Sequence, residues 1–394
     1  MLSARSFEGR DDVGKPKPGG FAARVVAIGV AACLIGAACA AAHVTAPPPT
    51  ALSSSTPSPT APNVAGCLVG AAWNNYTEER IPQWDEPAVK KVVEAAGGTY
   101  EMADAESVSD TQASQIDQFV AKGAKVIILR AQMDIDGSVP PGTQGAIDRA
   151  VAAGVAVIAY EYFIDSPKVL WVNSDEVEAG RMEARAILAA KPKGNYAIIR
   201  GTQGSLDDDL LGSGIHEILQ PAIDRGDIKI VAETYTQYWD PGTAQVEMTS
   251  ILAKNQNRID AVIADWDGMA GGVIAALKEV GLDGKVAVAG QGIDMGSLHN
   301  VAFGTETVEV WRDLGMMGTT AGDAAVALCR NPDISKVKGT TPFSSPGHNQ
   351  IPSLLVKPQA ITKDNLNVAL EAGWTKKSDL CFLLDTATAP PVCR

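Results

Sequence analysis

Residues 259–294 read IDAVIADWDGMAGGVIAALKEVGLDGKVAVAGQGID, from Ile259 to Asp294. Ile259 to Ala264 is a short apolar run, closed by the triplet Asp265-Trp266-Asp267. Ala270 to Val280 has helical spacing. Val286 to Ala289 is a second apolar run, closed by Gly290-Gln291-Gly292-Ile293-Asp294. The stretch is therefore strand, helix, strand. Strands of continuous Val, Ile and Ala, without polar alternation, belong to parallel sheets covered by helices on both faces.

The same rhythm runs outward in both directions. Upstream, strands are expected at Cys67–Ala72, Lys125–Leu129, Val155–Ala159, Tyr196–Ile199 and Ile228–Ala232. The helices between them cover Thr111–Lys122, Gln144–Ala153, Glu178–Ala190, Leu211–Ala222 and Thr243–Lys254. A first helix presents Val89, Val92, Val93 and Ala96 on one face; Asp85 is its expected cap and Pro87 lies in its first turn. Gly97-Gly98 ends it. The fold class is α/β, and about ten strands in this rhythm point to two doubly wound parallel-sheet lobes. A closed barrel is the structural alternative.

In open α/β sheets, ligands bind beyond the carboxyl ends of the strands. Those ends are unusually polar and aromatic here. Tyr160-Glu161-Tyr162 follows one strand, Asp265-Trp266-Asp267 another, and Gly290-Gln291-Gly292 a third. Trp73, Asn74, Asn75, Tyr76 and Arg80 lie near the first strand end, Val172-Asn173-Ser174-Asp175-Glu176 follows the first group of strands, and Trp311-Arg312 ends a late one. This inventory suits a neutral sugar. Each hydroxyl both donates and accepts, so planar Asp, Asn, Gln and Arg groups pair with it, while aromatic rings cover its C–H faces. The competing reading makes the same carboxylates helix caps and turn formers.

The chain has 394 residues, 46% hydrophobic and 20% charged, enough for two folded units. Its net charge of −13 and pI near 4.8 argue against a nucleic-acid partner, which needs clustered Lys and Arg. The four His residues include no pair at i, i+4, and neither a nucleophile elbow nor a phosphate-cradling loop occurs. No cofactor is expected, and the chain reads as a non-enzyme. Asp207-Asp208-Asp209 could hold a cation, but an acidic run at a helix start also complements the helix dipole. Paired carboxylates could mean a glycosidase, yet Asp265 and Asp267 lie on one strand-to-helix turn.

Residues 1–65 read as export signal and tether. Arg5, Arg10, Lys15, Lys17 and Arg24 precede an apolar run from Val25 to Ala38, which ends at Gly36-Ala37-Ala38-Cys39. Small residues before a Cys suit lipoprotein processing with Cys39 as the lipidated residue. Processing at Cys33, ordinary cleavage among Ala40–Ala42 and an uncleaved anchor are the alternatives. Val44 to Pro62 is Pro-, Ser-, Thr- and Ala-rich, as in an extended tether. Four further Cys residues (Cys67, Cys329, Cys381 and Cys393) make disulfides plausible in an exported chain, with three possible connectivities.

From Cys67 to Leu380 the chain resembles the periplasmic sugar-binding proteins of bacterial ABC importers, the xylose-binding branch in particular. The 259–294 stretch carries the resemblance, with KGNYAIIRGTQGSLDDD (Lys193–Asp209), IDRGDIKIVAE (Ile223–Glu233) and VAFGTETVEVW (Val301–Trp311). The resemblance implies type I periplasmic-binding-protein architecture, with two lobes joined by three hinge crossings. These are expected near Leu170–Val172, near Glu309–Arg312 and after Lys338. Residues 66–172 and 313–340 would form the first lobe, and 173–312 and 341–394 the second with a C-terminal extension. The implied ligand set is Arg80, Glu161, Asp175, Asp207, Trp239, Asp267, Gln291 and Arg312; Trp266 joins it from the strand-end reading, not from the resemblance.

This chain departs from the family at several of these positions. The family has Asp-Arg at Glu161-Tyr162, Asn at Glu176, Asp207 and Trp266, Asp at Gly292, and Lys at Arg312. The resemblance implies a monosaccharide such as xylose or a related sugar; a bulkier sugar, a polyol or another hydroxylated solute stays open. The implied partners are the importer's permease and ATPase, for a monomeric receptor outside the cell membrane. A sensor subunit for a membrane signalling protein, or a glycoside hydrolase, is the alternative. In the resembling fold the helix Gly315–Leu328 returns to the first lobe, which implies a Cys67–Cys329 bond and leaves Cys381–Cys393.

Overall fold

The computed structural model describes residues 63–394 except 135, 136, 293, 386 and 388. All of them lie in the unit Ser58–Arg394. The basic leader, the apolar run, Cys39 and the tether up to Pro62 are outside the described residues.

The chain begins with β1 (Leu68–Trp73), α1 (Glu86–Ala95), β2 (Thr99–Asp104), α2 (Ser109–Ala121) and β3 (Val126–Leu129). It continues with α3 (Pro141–Ala152), β4 (Ala156–Tyr160) and β5 (Val169–Ser174). A second group follows: α4 (Glu176–Ala190), β6 (Gly194–Arg200), α5 (Leu206–Asp224), β7 (Ile228–Tyr235) and α6 (Pro241–Lys254). It closes with β8 (Ala261–Ala264), α7 (Asp267–Glu279), β9 (Ala287–Gly292), α8 (Met295–Phe303) and β10 (Val308–Trp311). Then come α9 (Leu314–Arg330), β11 (Thr341–Ser344), β12 (Gln350–Val356), β13 (Gln359–Ile361), α10 (Asn367–Glu371) and α11 (Lys377–Leu380).

Two open sheets result, in the orders β11-β12-β5-β4-β3-β1-β2 and β13-β10-β9-β8-β6-β7. Both are parallel except where β11 meets β12 and β13 meets β10. The expected doubly wound lobes are present and the barrel is not. Sequence decides this at the central strands: Val126-Ile-Ile-Leu129 and Ala261-Val-Ile-Ala264 are buried along their whole length, so each needs a helical layer on either side. In the first lobe, α1 and α9 supply one layer through Val89, Val93, Met317 and Ala321; α2 and α3 supply the other through Ile116, Phe119 and Ile147. In the second lobe the layers are α6 with α7, and α4 with α5. Each fully buried Val or Ile here contributes roughly 1.5–3 kcal/mol.

Three short crossings join the lobes: Asp175 between β5 and α4, Arg312-Asp313 between β10 and α9, and Lys357-Pro358 between β12 and β13. The Asp175 N–H donates to the Val356 carbonyl at 2.9 Å, tying the first crossing to the third. The boundary expected after residue 340 is corrected. β12 pairs with β5 from Ser353↔Trp171 to Val356↔Ser174, and Phe343 packs on Phe163 and Trp171. Residues 341–356 therefore belong to the first sheet. Asp85 stands at the N-cap position of α1 as expected, but its side chain makes no cap hydrogen bond; Arg80 and the Tyr160 hydroxyl both donate to its carboxylate.

Cys67 is bonded to Cys329 of α9, within the first lobe. Cys381 is bonded to Cys393. The C-terminal segment packs Leu366, Ala369 and Leu380 against Leu298, Val301 and Ala302 of α8 and Trp311 of β10. No helix among the described residues is long and apolar enough to cross a membrane.

Candidate functional site

The strand ends of the two lobes meet across a cleft, and an ion network crosses it. Glu161 follows β4 with φ +63°, an uncommon conformation for a residue with a side chain. The surroundings over-determine it: its N–H donates to the Val172 carbonyl at 2.8 Å and its carbonyl accepts from Trp171 Nε1 at 2.8 Å. Its carboxylate lies 2.5 Å from Arg130, 2.6 Å from Arg80 and 3.3 Å from Arg312. Burial alone would raise the Glu161 pKa; Arg130, Arg80 and Arg312 together hold it well below the usual carboxylate range.

Arg312, at the second crossing, connects both sides. It donates to Asn173 Oδ1 at 3.1 Å and lies 3.0 Å from Glu176. Asn173 in turn donates to Asp207 of α5 at 3.1 Å. Burial pushes Glu176 up to about 8 against the pull of Arg312, and Asp207 up to about 6 for the same reason. The network thus holds three guanidiniums against one firmly ionised carboxylate and others that protonate easily.

A cavity of about 490 Å³ lies on one side of this network. Arg80 and Trp84 line it from the first lobe; Trp266, Asp267, Gly292 and Met295 line it from the second, with Arg312 and Trp374. Trp266 and Asp267 come from the β8–α7 turn. Asp267 is buried and accepts from the Asp294 N–H at 2.7 Å. Gly292, at φ +145°, is required there, because a Cβ would strike the Asp267 carboxylate. A second cavity of about 450 Å³ lies on the other side, lined by Tyr162, Phe163, Asp207, Tyr238 and Trp239, among others. The Trp239 ring lies against Gly201, where any Cβ would collide with it. Both volumes fall within the roughly 300–1,000 Å³ of small-molecule sites.

The sequence-derived set is thus distributed. Arg80, Trp266, Asp267 and Arg312 line the larger cavity; Asp207 and Trp239 line the smaller; Glu161 sits in the network between. Asp175 and Gln291 line neither. Asp175 accepts from the Glu178 N–H as the cap of α4, and buried Gln291 donates to the Asp265 carbonyl at 3.0 Å. In the acidic triplet, Asp208 is bound by Arg200 and the Gly201 N–H, so it faces protein groups. Among the described residues no group of three His, Cys, Asp or Glu could hold a metal ion.

Sequence reasoning missed Arg130, Trp84 and Trp374. Arg130 is the first residue after β3, and the same strand-end rule finds it. It also bonds Asn74 at 2.5 Å and stacks on Tyr162, 4.5 Å from the ring centre. Trp374 lies in a tail with no strand-helix rhythm, so no periodic signal marks it.

Comparison with known proteins places this geometry among relatives. Residues 69–333 match the model of a family described as a periplasmic binding protein domain. The D-xylose-binding periplasmic protein of Escherichia coli (strain K12) is 30% identical over 305 residues, covering 76% of this chain and 89% of that protein. The multiple sugar-binding periplasmic receptor ChvE of Rhizobium radiobacter is 27% identical over 313 residues, covering 74% and 86%. An ABC transporter solute-binding protein from Clostridium phytofermentans, solved with bound β-D-glucose, superposes with a TM-score of 0.66 at 23% identity, covering 79% of this chain and 99% of that one.

Proposed function

The chain belongs to the periplasmic binding protein family, and we propose that it is an extracytoplasmic receptor that captures a neutral monosaccharide or polyol and delivers it to an ABC importer. The observation that carries this reading is the 490 Å³ cavity, where Trp266 and Asp267 of one lobe stand opposite Arg80 of the other with Arg312 at the crossing. Rings can cover a sugar's C–H faces, and the carboxylate and guanidiniums can pair with its hydroxyls.

The charge pattern favours a neutral ligand. Both guanidiniums of the cavity already have a carboxylate partner: Arg80 has Asp85 and Glu161, and Arg312 has Glu161, with the Glu176 carboxyl also 3.0 Å away. An anionic ligand would have to displace one of these. D-xylose is the first candidate, given the E. coli relative. A ligand touching both lobes stabilises only the closed state and so shifts the population towards it. The proposed anchor is a lipid on Cys39, and the proposed partners are a permease and its ATPase.

Thermal unfolding of the purified chain with D-xylose, D-glucose, xylitol and myo-inositol tests this, with D-glucose 6-phosphate as the anionic control. A true ligand at a hundred times its Kd should stabilise the fold by about 2.7 kcal/mol. Stabilisation by none of the neutral compounds, or by the phosphate alone, would sink the reading.

A further inference from the structure

The C-terminal segment lies beyond the stretch that matches the family, which ends at residue 333, yet it reaches the cleft. It is fastened to the second lobe by Leu366, Ala369 and Leu380, and the Cys381–Cys393 bond closes its end. Thr375 is buried and donates to the Met295 sulfur at 3.2 Å. The residue before it, Trp374, lines the larger cavity. Its ring stacks on Trp84 of the first lobe, with centres 3.9 Å apart and planes 27° apart. It also meets Trp311 of β10 edge-on at 5.7 Å. One ring therefore walls the cavity, rests on its own lobe and touches the opposite lobe.

We propose that Trp374 is a ligand-contacting, specificity-determining residue, and that its stack on Trp84 is a clasp that favours closure before any ligand arrives. The two roles follow from one position. Opening the lobes separates Trp84 from Trp374, so the stack exists only in the closed state and biases the equilibrium towards it. Inside the cleft, the ring fixes the wall next to Trp266 and Asp267 and limits the size of what fits beside them. The wall rests on the receptor reading above; the clasp does not.

Small-angle X-ray scattering of the full, unliganded chain tests the clasp. Trp84→Ala and Trp374→Ala should each show a larger radius of gyration than wild type, and Trp374→Phe should stay compact because it keeps a stacking ring. One aromatic stack should shift the open–closed equilibrium about 2- to 10-fold. Calorimetric titration with D-xylose, D-glucose, xylitol and myo-inositol tests the wall. Trp84→Ala should weaken binding by that factor, and Trp374→Ala by more, with a relative gain for the bulkier compounds. Alanine variants that scatter like wild type overturn the clasp. Unchanged affinity and selectivity in Trp374→Ala overturn the wall. If wild type binds none of the four, the receptor reading fails, and scattering alone decides the clasp.

Discussion

Neutralising Glu161 would remove the one carboxylate that Arg80, Arg130 and Arg312 share within 3.3 Å, leaving them Asp85, Glu78 and Glu176 respectively. Arg130 and Glu161 are only 3% and 4% exposed, so water cannot replace the lost charge. Glu161→Gln should cost about 3–5 kcal/mol of stability, the usual cost of breaking a buried pair. Denaturant unfolding reads this directly; a loss below about 1 kcal/mol would mean that the network is solvated. The pKa of Glu161 is depressed in the fold, so its contribution is present above the ordinary Glu range and is lost as pH falls below it. Asp267 answers a different question. Asp267→Ala should remove a charge-assisted hydrogen bond to a ligand hydroxyl worth roughly 1.5–3 kcal/mol, a Kd increase of about 10- to 150-fold. The fold should survive, since Asp294, which donates its N–H to Asp267, also caps α8 through its own side chain. An unchanged Kd would take Asp267 out of the site.

Elements differ in how much of them can be read in advance. The βαβ units declared themselves wherever a strand is buried on both faces, because Val, Ile and Ala then run without interruption; β3, β8 and β9 are such strands. β2 escaped notice because it is the edge of its sheet and only partly buried, so Thr99-Tyr-Glu-Met-Ala-Asp104 carries no apolar run. β12 was assigned to the wrong lobe for a related reason: which sheet an edge strand joins depends on partners far along the chain, here β5. The site followed the same division. Among the cavity-lining residues, Arg80, Trp266, Asp267 and Arg312 stand at strand ends after β1, β8 and β10 that the sequence marks, Asp207 and Trp239 entered only through the family resemblance, and Trp374 depends on where an aperiodic tail folds. The disulfide between Cys67 and α9 belongs to one lobe, which fixes its effect. Cys329→Ser opens a loop spanning 262 residues and should cost roughly 2–5 kcal/mol of unfolding free energy. Ligand affinity should not change, because the bond does not span a crossing. A changed Kd in that variant would show that α9 moves during closure.

Across the whole molecule, buried acids set the response to pH. Glu183, Asp265, Glu306 and Glu309 are at most 2% exposed, and burial raises all four pKa values well above the carboxylate range. Glu176, up to about 8, and Asp207, up to about 6, join them. Such groups bind protons more tightly when folded than when unfolded. Stability should therefore fall as pH rises from the ordinary carboxylate range, about 4–4.5, towards 8. Melting temperatures measured from pH 5 to pH 8 should decline, and Glu176→Gln should flatten the slope; a rising profile would contradict the protonated state of these acids. The path of the chain has a last consequence. Asn63 leads into Val64, which is buried in the first-lobe core, while Arg394 ends the segment fastened to the second. A fluorescent donor at Asn63 and an acceptor at Arg394 would ride on opposite lobes, and on the proposed closure the energy transfer between them would report each shutting of the cleft in real time.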